Sequence, residues 1–304
     1  MKIAIVGSGG RLGAALMREY GRRFDVTGFD HSQLDVADLS QVHAKIDNLD
    51  FNVLINAAAL TDVDLCEKKR DLAFAINAEA PRVLAEICRD KKAKLIHFST
   101  DYVFDGEKRE PYLESDPAGP ISVYAESKRE GEKRMLQTGK RHLVVRVSWV
   151  FGPDRPSFID NMIGRARDNE QIAAVADKFS TPTYTRDIAQ MLRQFFISSD
   201  PSYSIDRSYN GRDYSGILHF ANAGECSWQE YAQFALDCCR SLGIPLKAKT
   251  VGAIKLADMK SWVARRPVYS VLSTEKFFSL TGTTPRNWRD AVAEHVREHY
   301  AAPT

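Results

Sequence analysis

The chain has 304 residues, with 42 Lys and Arg against 40 Asp and Glu, so its net charge of +2 points to neither a nucleic-acid partner nor a membrane surface. Its 44% hydrophobic and 27% charged content is that of a soluble globular protein with a sizeable core, and no apolar run approaches the roughly 18–20 residues of a membrane span. Cys66, Cys88, Cys226, Cys238 and Cys239 fit no zinc spacing, and the start MKIAIVGSGG is too short and glycine-rich for an export signal. The cysteines therefore read as reduced thiols of a cytoplasmic protein.

In chain order, KIAIV (2–6) is a β-branched run ending at Gly7, LGAALMREYGRRF a helix, and DVTGFD a second strand. LSQVHAKIDNLD reads as a helix, NVLINAAA as a buried strand, DLAFAINAEAPRVLAEICRDKK as one long helix and AKLIHFST as a strand. A turn-rich stretch with Gly106, Pro111, Pro117, Gly119 and Pro120 precedes a helix from about Val123 to Gln137, and HLVVRVSWVFG is one further strand. This alternation predicts an α/β fold, a doubly wound parallel sheet with helices on both faces, whose strands are apolar because both faces are buried. Beyond Gly152 the pattern loosens into SFIDNMIGRARDN (helix), QIAAVAD (strand), TRDIAQMLRQFFISS (helix) and GILHFANA (strand). Residues 201–216 read as an exposed polar loop, and WQEYAQFALDCCRSL as a helix in which a redox role for the adjacent cysteines is the weaker reading.

GSGGRLG places Gly7, Gly10 and Gly13 between the first strand and the first helix, where small residues let the backbone approach a pyrophosphate at a helix N-terminus. Asp30, 17 residues after Gly13 at the end of the second strand, suits the hydroxyls of an adenosine ribose. Asp35 and Val36 fall where an adenine would lie, with a helix cap by Asp35 as the equal alternative. Ala57, Ala58 and Ala59 end the third strand, and their small side chains allow a cofactor to press on the backbone. The expected cofactor is a nicotinamide dinucleotide bound by a Rossmann-type domain.

Ser99 and Thr100 end the next strand, and Tyr124 follows Thr100 by 24 residues with Lys128 four beyond it. Positions i and i+4 share a helical face, so YAESK sets a phenol beside an ammonium. The phenol's ordinary pKa of about 10 makes it a slow acid at neutral pH, and a neighbouring ammonium is expected to lower it. Hydroxyl, phenol and ammonium together form a set for carbonyl reduction, with Lys128 also available to hold a coenzyme ribose.

With these pieces in place the chain resembles an extended short-chain dehydrogenase/reductase, and more closely the dTDP-4-dehydrorhamnose reductase family. The matching segments are GSGGRLG, NAAALTDVD, STDYVFDG, YAESKREGE, RVSWVFG, STPTYTRDIA and RRPVYSVLS, and they run nearly end to end. The resemblance implies reduction of the 4-keto group of a nucleotide-linked 6-deoxyhexose, most closely dTDP-4-dehydrorhamnose to dTDP-rhamnose. It implies Thr100, Tyr124 and Lys128 as catalytic, and Thr100, Asp101, Tyr102 and Trp149 as substrate-binding. It also implies Arg11, Leu12, Asp30, Asp35, Val36 and Ala57–Ala59 as cofactor-lining. By residue type alone Trp149 would be core. Arg265 and Arg266 fit a diphosphate as well as they fit a solvated face. The implied organisation is a dinucleotide-binding domain of residues 1–150 and 179–222 and a smaller, discontinuous α/β substrate-binding domain of residues 151–178 and 223–304.

DKFSTPT replaces the family's usual DQ-x-G-S-P-T, and Ala14 and Ala15 stand where some relatives carry an acid for a metal-assisted dimer. No metal is expected, Asp62 and Asp64 included, and a homodimer is compatible with the resemblance. Asp30 argues for NADH with NADPH tolerated: His31 follows it where many relatives place an arginine, and Arg11 is the residue expected to offset part of the repulsion of a 2′-phosphate. A non-catalytic regulatory subunit, like the β-subunit of methionine adenosyltransferase, is the competing class. An epimerase or dehydratase of sugar nucleotides is a third.

Overall fold

The computed structural model describes residues 1–196 and 214–301. Its central sheet is built from β1 (Lys2–Val6), β2 (Asp25–Phe29), β3 (Val53–Asn56), β4 (Lys94–Thr100), β5 (Leu143–Val147) and β10 (Gly216–His219). The strand order is β10-β5-β4-β3-β1-β2 with every pair parallel. β1 pairs with β2 on one side and β3 on the other, so the winding reverses there. Open α/β sheets bind ligands outside the strand carboxyl ends at such a reversal, and the glycine loop and Ala57–Ala59 lie there. β3, β4 and β5 are buried throughout, as their apolar runs predict.

The connecting helices are α1 (Arg11–Tyr20), α2 (Leu39–Ile46), α3 (Val63–Lys68), α4 (Arg70–Phe74), α5 (Ala80–Asp90), α6 (Val123–Thr138) and α8 (Thr185–Leu192). The long helix expected after β3 is divided, with a π turn over Ala75–Glu79 between α4 and α5. Pro81 has no N–H to offer the carbonyl of Asn77 four residues back, and its ring would clash with that carbonyl; a wider turn relieves both. The Asn77 side chain bonds the backbone of Leu60 and the Ser127 hydroxyl, and Gly131 of α6 packs on the Asn77 carbonyl. The N-terminus of α6 is capped by Ser122, which accepts from Ala125 N at 3.3 Å.

The strand expected over residues 142–152 is also broken. β5 stops at Val147, Trp149 takes a left-handed backbone (φ +38°), and β6 (Val150–Phe151) pairs with β9 (Thr183–Tyr184) instead of the main sheet. Around β6 gather α7 (Phe158–Asp168), β7 (Ile172–Val175), β8 (Phe179–Ser180), β11 (Cys226–Ser227), α9 (Trp228–Ser241), β12 (Val251–Ile254) and α11 (Trp288–Tyr300), while α10 (Glu275–Thr281) packs Phe277 into the core of the main sheet beside β10. A second core fills this part, centred on Tyr184, Tyr231, Leu236 and Trp288. Cys238 is half-buried and Cys239 buried, both are free thiols, and burial raises each to about 11, which suits packing better than redox chemistry. Of the polar stretch 201–216, residues 201–213 lie outside the described residues.

A Cβ on Gly131 would sit 2.1 Å from the Asn77 carbonyl oxygen. Gly131→Ala should therefore push α6 off the π turn and lower stability by about 1–3 kcal/mol, despite alanine's better helix propensity. Denaturant unfolding measures this, and a stabilised variant would contradict the packing described.

Candidate active site

α6 packs against β4 and brings Tyr124 and Lys128 to the same cavity as Thr100. The cavity is about 530 Å³ and runs from the glycine loop (Gly10, Arg11, Leu12) past Ala57–Ala59 to Thr100, Asp101, Tyr102, Tyr124, Lys128 and Trp149. Ser99 donates its hydroxyl to Glu132 Oε1 at 2.6 Å. The Thr100 hydroxyl donates to Asp101 Oδ1 at 3.1 Å and accepts from Tyr102 N at 3.2 Å. The Tyr102 ring meets the Tyr124 ring edge-on, with centroids 5.9 Å apart.

The electrostatics correct one sequence-based expectation. Lys128 does not pull the Tyr124 phenol down in this arrangement. Burial pushes the phenol well above its ordinary value, and the main opposing influence is the Thr100 hydroxyl. Lys128 Nζ instead points into β4, donating to the Phe98 carbonyl at 2.6 Å and lying 3.2 Å from His97 Nε2. Burial lowers Lys128 to about 8, with Glu132 opposing. His97 is itself depressed by burial and by the Lys128 charge. Its Nδ1 is 3.1 Å from Asn56 Nδ2, and Asn56 Oδ1 accepts from Ala58 N at 3.0 Å, so the chain of contacts continues to the alanine strand end.

The glycine loop fits a dinucleotide backbone. Gly7 has φ +82°, and a Cβ there would lie 2.5 Å from Ala58 N; one on Gly13 would lie 2.1 Å from the Gly7 carbonyl oxygen. Both glycines sit beneath the loop, and neither borders the cavity. Asp30 flanks Gly9 at the end of β2, half-buried, and its carboxylate accepts from Ser32 Oγ, Ser32 N and Gln33 N, bonds that hold its pKa below the usual range. Asp35 accepts from Ala37 N, while the cap of α2 is Asp38; Val36 is buried in the core. Asp30, Asp35 and Val36 stand outside the cavity wall.

Two arginines behave differently from expectation. Arg11 borders the cavity, but its guanidinium donates to the carbonyls of Val150, Arg155 and Pro156. That commitment leaves it tying the glycine loop to residues 150–156 instead of reaching for a 2′-phosphate. Arg266 is neither solvated nor in the wall. It pairs with Asp64 at 2.9 Å, donates to the Ala264 carbonyl and stacks on Trp262 at 3.9 Å, so its donors are already engaged. Arg265 is exposed. Among the described residues no three His, Cys, Asp or Glu side chains gather as a metal-binding group.

Several wall residues carry no signal in the sequence. Phe158, Trp228 and Tyr231 line the same cavity as Thr100, Tyr124 and Lys128, with Trp149 stacked near Tyr231 at 6.2 Å and edge-on to Trp228 at 5.6 Å. In the linear pattern they are core positions of amphipathic helices. Only tertiary packing turns one edge of that core into a cavity wall.

Fold and site define a Rossmann-type oxidoreductase of the extended short-chain dehydrogenase/reductase kind. The family model described as the RmlD substrate binding domain matches residues 1–301, and the chain belongs to that family, the dTDP-4-dehydrorhamnose reductases. It is 31% identical to dTDP-4-dehydrorhamnose reductase of Escherichia coli K12, covering 98% of both chains. It is 35% identical to a probable dTDP-4,6-dihydroxy-2-methyloxan-3-one 4-ketoreductase of Streptomyces antibioticus, over 99% of this chain and 97% of that one. Among solved structures, dTDP-4-dehydrorhamnose reductase from Bacillus anthracis in complex with NADP superposes with a TM-score of 0.87 at 30% identity, covering 98% of this chain and 99% of that one.

The buried Lys128 has a consequence for stability. Its value falls from 10.5 in the unfolded chain to about 8 in the folded one, so between these limits the unfolded state binds more protons and stability rises with pH. Lys128→Met removes that contribution. Relative to wild type the variant should gain most below pH 8, and the gain should shrink by on the order of 2 kcal/mol by pH 10. Unfolding free energies of both proteins across this window measure it, and a pH-independent difference would contradict the burial argument.

Proposed function

We propose that this chain reduces the 4-keto group of a nucleotide-linked 6-deoxyhexose, most closely dTDP-4-dehydrorhamnose to dTDP-rhamnose, in the cytoplasm. The observation that carries the reading is one continuous cavity with the glycine loop at one end and Thr100, Tyr124 and Lys128 at the other. We assign the coenzyme to residues 1–150 and 179–222, and the sugar nucleotide to residues 151–178 and 223–304. Gly10, Arg11, Leu12 and Ala57–Ala59 would hold the pyrophosphate region, with Gly7 and Gly13 giving the loop its tight turn beneath it, Asp30 the adenosine ribose, and Asp35 and Val36 the adenine side. A nicotinamide bound there supplies a hydride for the substrate carbonyl carbon. Tyr124 donates its proton to the oxygen that becomes negative, and burial keeps that phenol protonated at neutral pH until the charge develops. Thr100 orients the same oxygen by its hydroxyl. Lys128, whose ammonium rests on the Phe98 carbonyl in this arrangement, is assigned to the coenzyme ribose hydroxyls. NADH is the favoured coenzyme and NADPH is tolerated, because Asp30 repels a 2′-phosphate and Arg11 is engaged elsewhere.

The surroundings of Thr100 also favour reduction over 4,6-dehydration, which needs an acid and a base beside the sugar's C5 and C6. Asp101 accepts from Ser180, Ser270 and Thr100 and is buried. Tyr102 follows it, and burial raises that phenol far beyond use as a base.

Tyr124→Phe should bind coenzyme normally and lose about 10²–10⁴-fold in kcat, the usual contribution of a positioned acid. Wild-type turnover by this variant removes Tyr124 from the mechanism. With NADH and the 4-keto-6-deoxy sugar nucleotide, or its C3/C5-epimerised form, the protein should consume coenzyme and yield a 4-hydroxyl. Formation of the 4-keto-6-deoxy sugar from a nucleotide-linked glucose by this protein alone would sink the reductase reading.

A further inference from the structure

Lys178 is a fully buried lysine that neither the fold nor the catalytic trio accounts for. It lies behind the cavity wall, in the short link between β7 and β8. Its Nζ donates to the Pro267 carbonyl at 2.8 Å. The same ammonium lies 4.7 Å from the ring centroid of Tyr102 and 5.7 Å from that of Trp149. Both Tyr102 and Trp149 line the cavity.

The surrounding geometry fixes the lysine. Phe179 N donates to the Val268 carbonyl at 2.7 Å, and Ser270 N donates to the Phe179 carbonyl at 2.9 Å, so the segments on either side of Lys178 and Pro267 are laced together. Ser180 Oγ and Ser270 Oγ from these same segments donate to Asp101. A buried ammonium is costly unless polar groups or electron-rich faces replace its water. Here the Pro267 carbonyl, two ring faces and the Asp101 charge do so, while Arg266 opposes.

The two rings need such support. Trp149 has a left-handed backbone, and its indole Nε1 is buried with no hydrogen-bond partner, so no hydrogen bond of its own fixes the ring. Tyr102 is the ring against which Tyr124 rests edge-on. A cation shared between both faces restricts how either can tilt.

We propose that Lys178 is a positioning residue: its ammonium holds Tyr102 and Trp149 as one aromatic wall and thereby sets affinity for the sugar nucleotide, not for the coenzyme. This rests on the reading of the cavity as a sugar-nucleotide site. No part of the glycine loop or of Ala57–Ala59 touches Lys178 in the contacts described, so coenzyme binding is insulated from it.

The test uses Lys178→Met, which keeps the length and removes the charge, and Lys178→Gln, which keeps a donor for the Pro267 carbonyl. KM for the 4-keto-6-deoxy sugar nucleotide should rise about tenfold in both, the scale of a desolvated cation–ring contact, with kcat falling less and the NADH Kd unchanged. Trp149 emission in the protein without substrate, defined by difference from Trp149→Phe, should shift in both variants. If Met does not fold, Gln carries the same test. Wild-type sugar KM in either folded variant overturns the proposal, as does a Gln variant indistinguishable from wild type, since hydrogen bonding would then suffice. If wild type turns over no sugar nucleotide, the functional reading fails, and the emission measurement alone decides the wall: an unchanged Trp149 signal overturns it.

Discussion

The buried Glu132–Arg146 pair is the constraint on which the proposed catalytic geometry depends. Arg146 of β5 donates to both Glu132 oxygens at 2.8 Å, with side chains 2% and 0% exposed. Ser99 of β4 and Arg129 of α6 add bonds to the same carboxylate, and Arg146 also contacts His219 of β10 at 3.3 Å. Several donors on two oxygens satisfy a charge that would otherwise be prohibitive to bury. Removing one partner of such a pair typically costs about 3–5 kcal/mol, far more than a surface pair. Burial pushes the Glu132 carboxyl up, but these hydrogen bonds hold it below its ordinary value.

That pair sits beneath the chemistry by helical arithmetic. Tyr124, Lys128 and Glu132 are spaced four apart and share one face of α6. Anchoring Glu132 to β4 through Ser99 and to β5 through Arg146 therefore fixes the two residues above it near the end of β4, where Thr100 waits. The tyrosine and lysine need no flexible adjustment along the sheet, because the helix cannot slide without breaking a buried charge pair. Gly131 serves the same end from the other side, allowing α6 to press against the π turn.

The parallel sheet, the glycine loop and the Tyr–Lys face were legible in the sequence because each is a local pattern with a local cause. Buried strands read as apolar runs, a tight turn reads as glycine, and a helical face reads as a spacing of four. What failed to show was set by partners distant in the chain. Arg266 reads as a free cation until Asp64, 202 residues away, occupies it. Arg11 reads as a ligand for phosphate until the carbonyls of residues 150–156 arrive. Tyr231 and Trp228 read as core because a cavity is the edge of a core. The depressed Lys128 and raised Tyr124 follow from burial, which no spacing reveals. The break of β5 at Trp149 defeats propensity, since a tryptophan with positive φ is a backbone exception held by tertiary contacts.

The central claim is that one cavity delivers a hydride to the sugar's C4 while Tyr124 supplies the proton. Turnover of the 4-keto-6-deoxy sugar nucleotide with coenzyme deuterated at the transferring position, followed by NMR and mass analysis of the sugar, tests it most directly. The account predicts one deuterium, bound to C4 and on one face only. Deuterium at C6, or a product without deuterium, would contradict it.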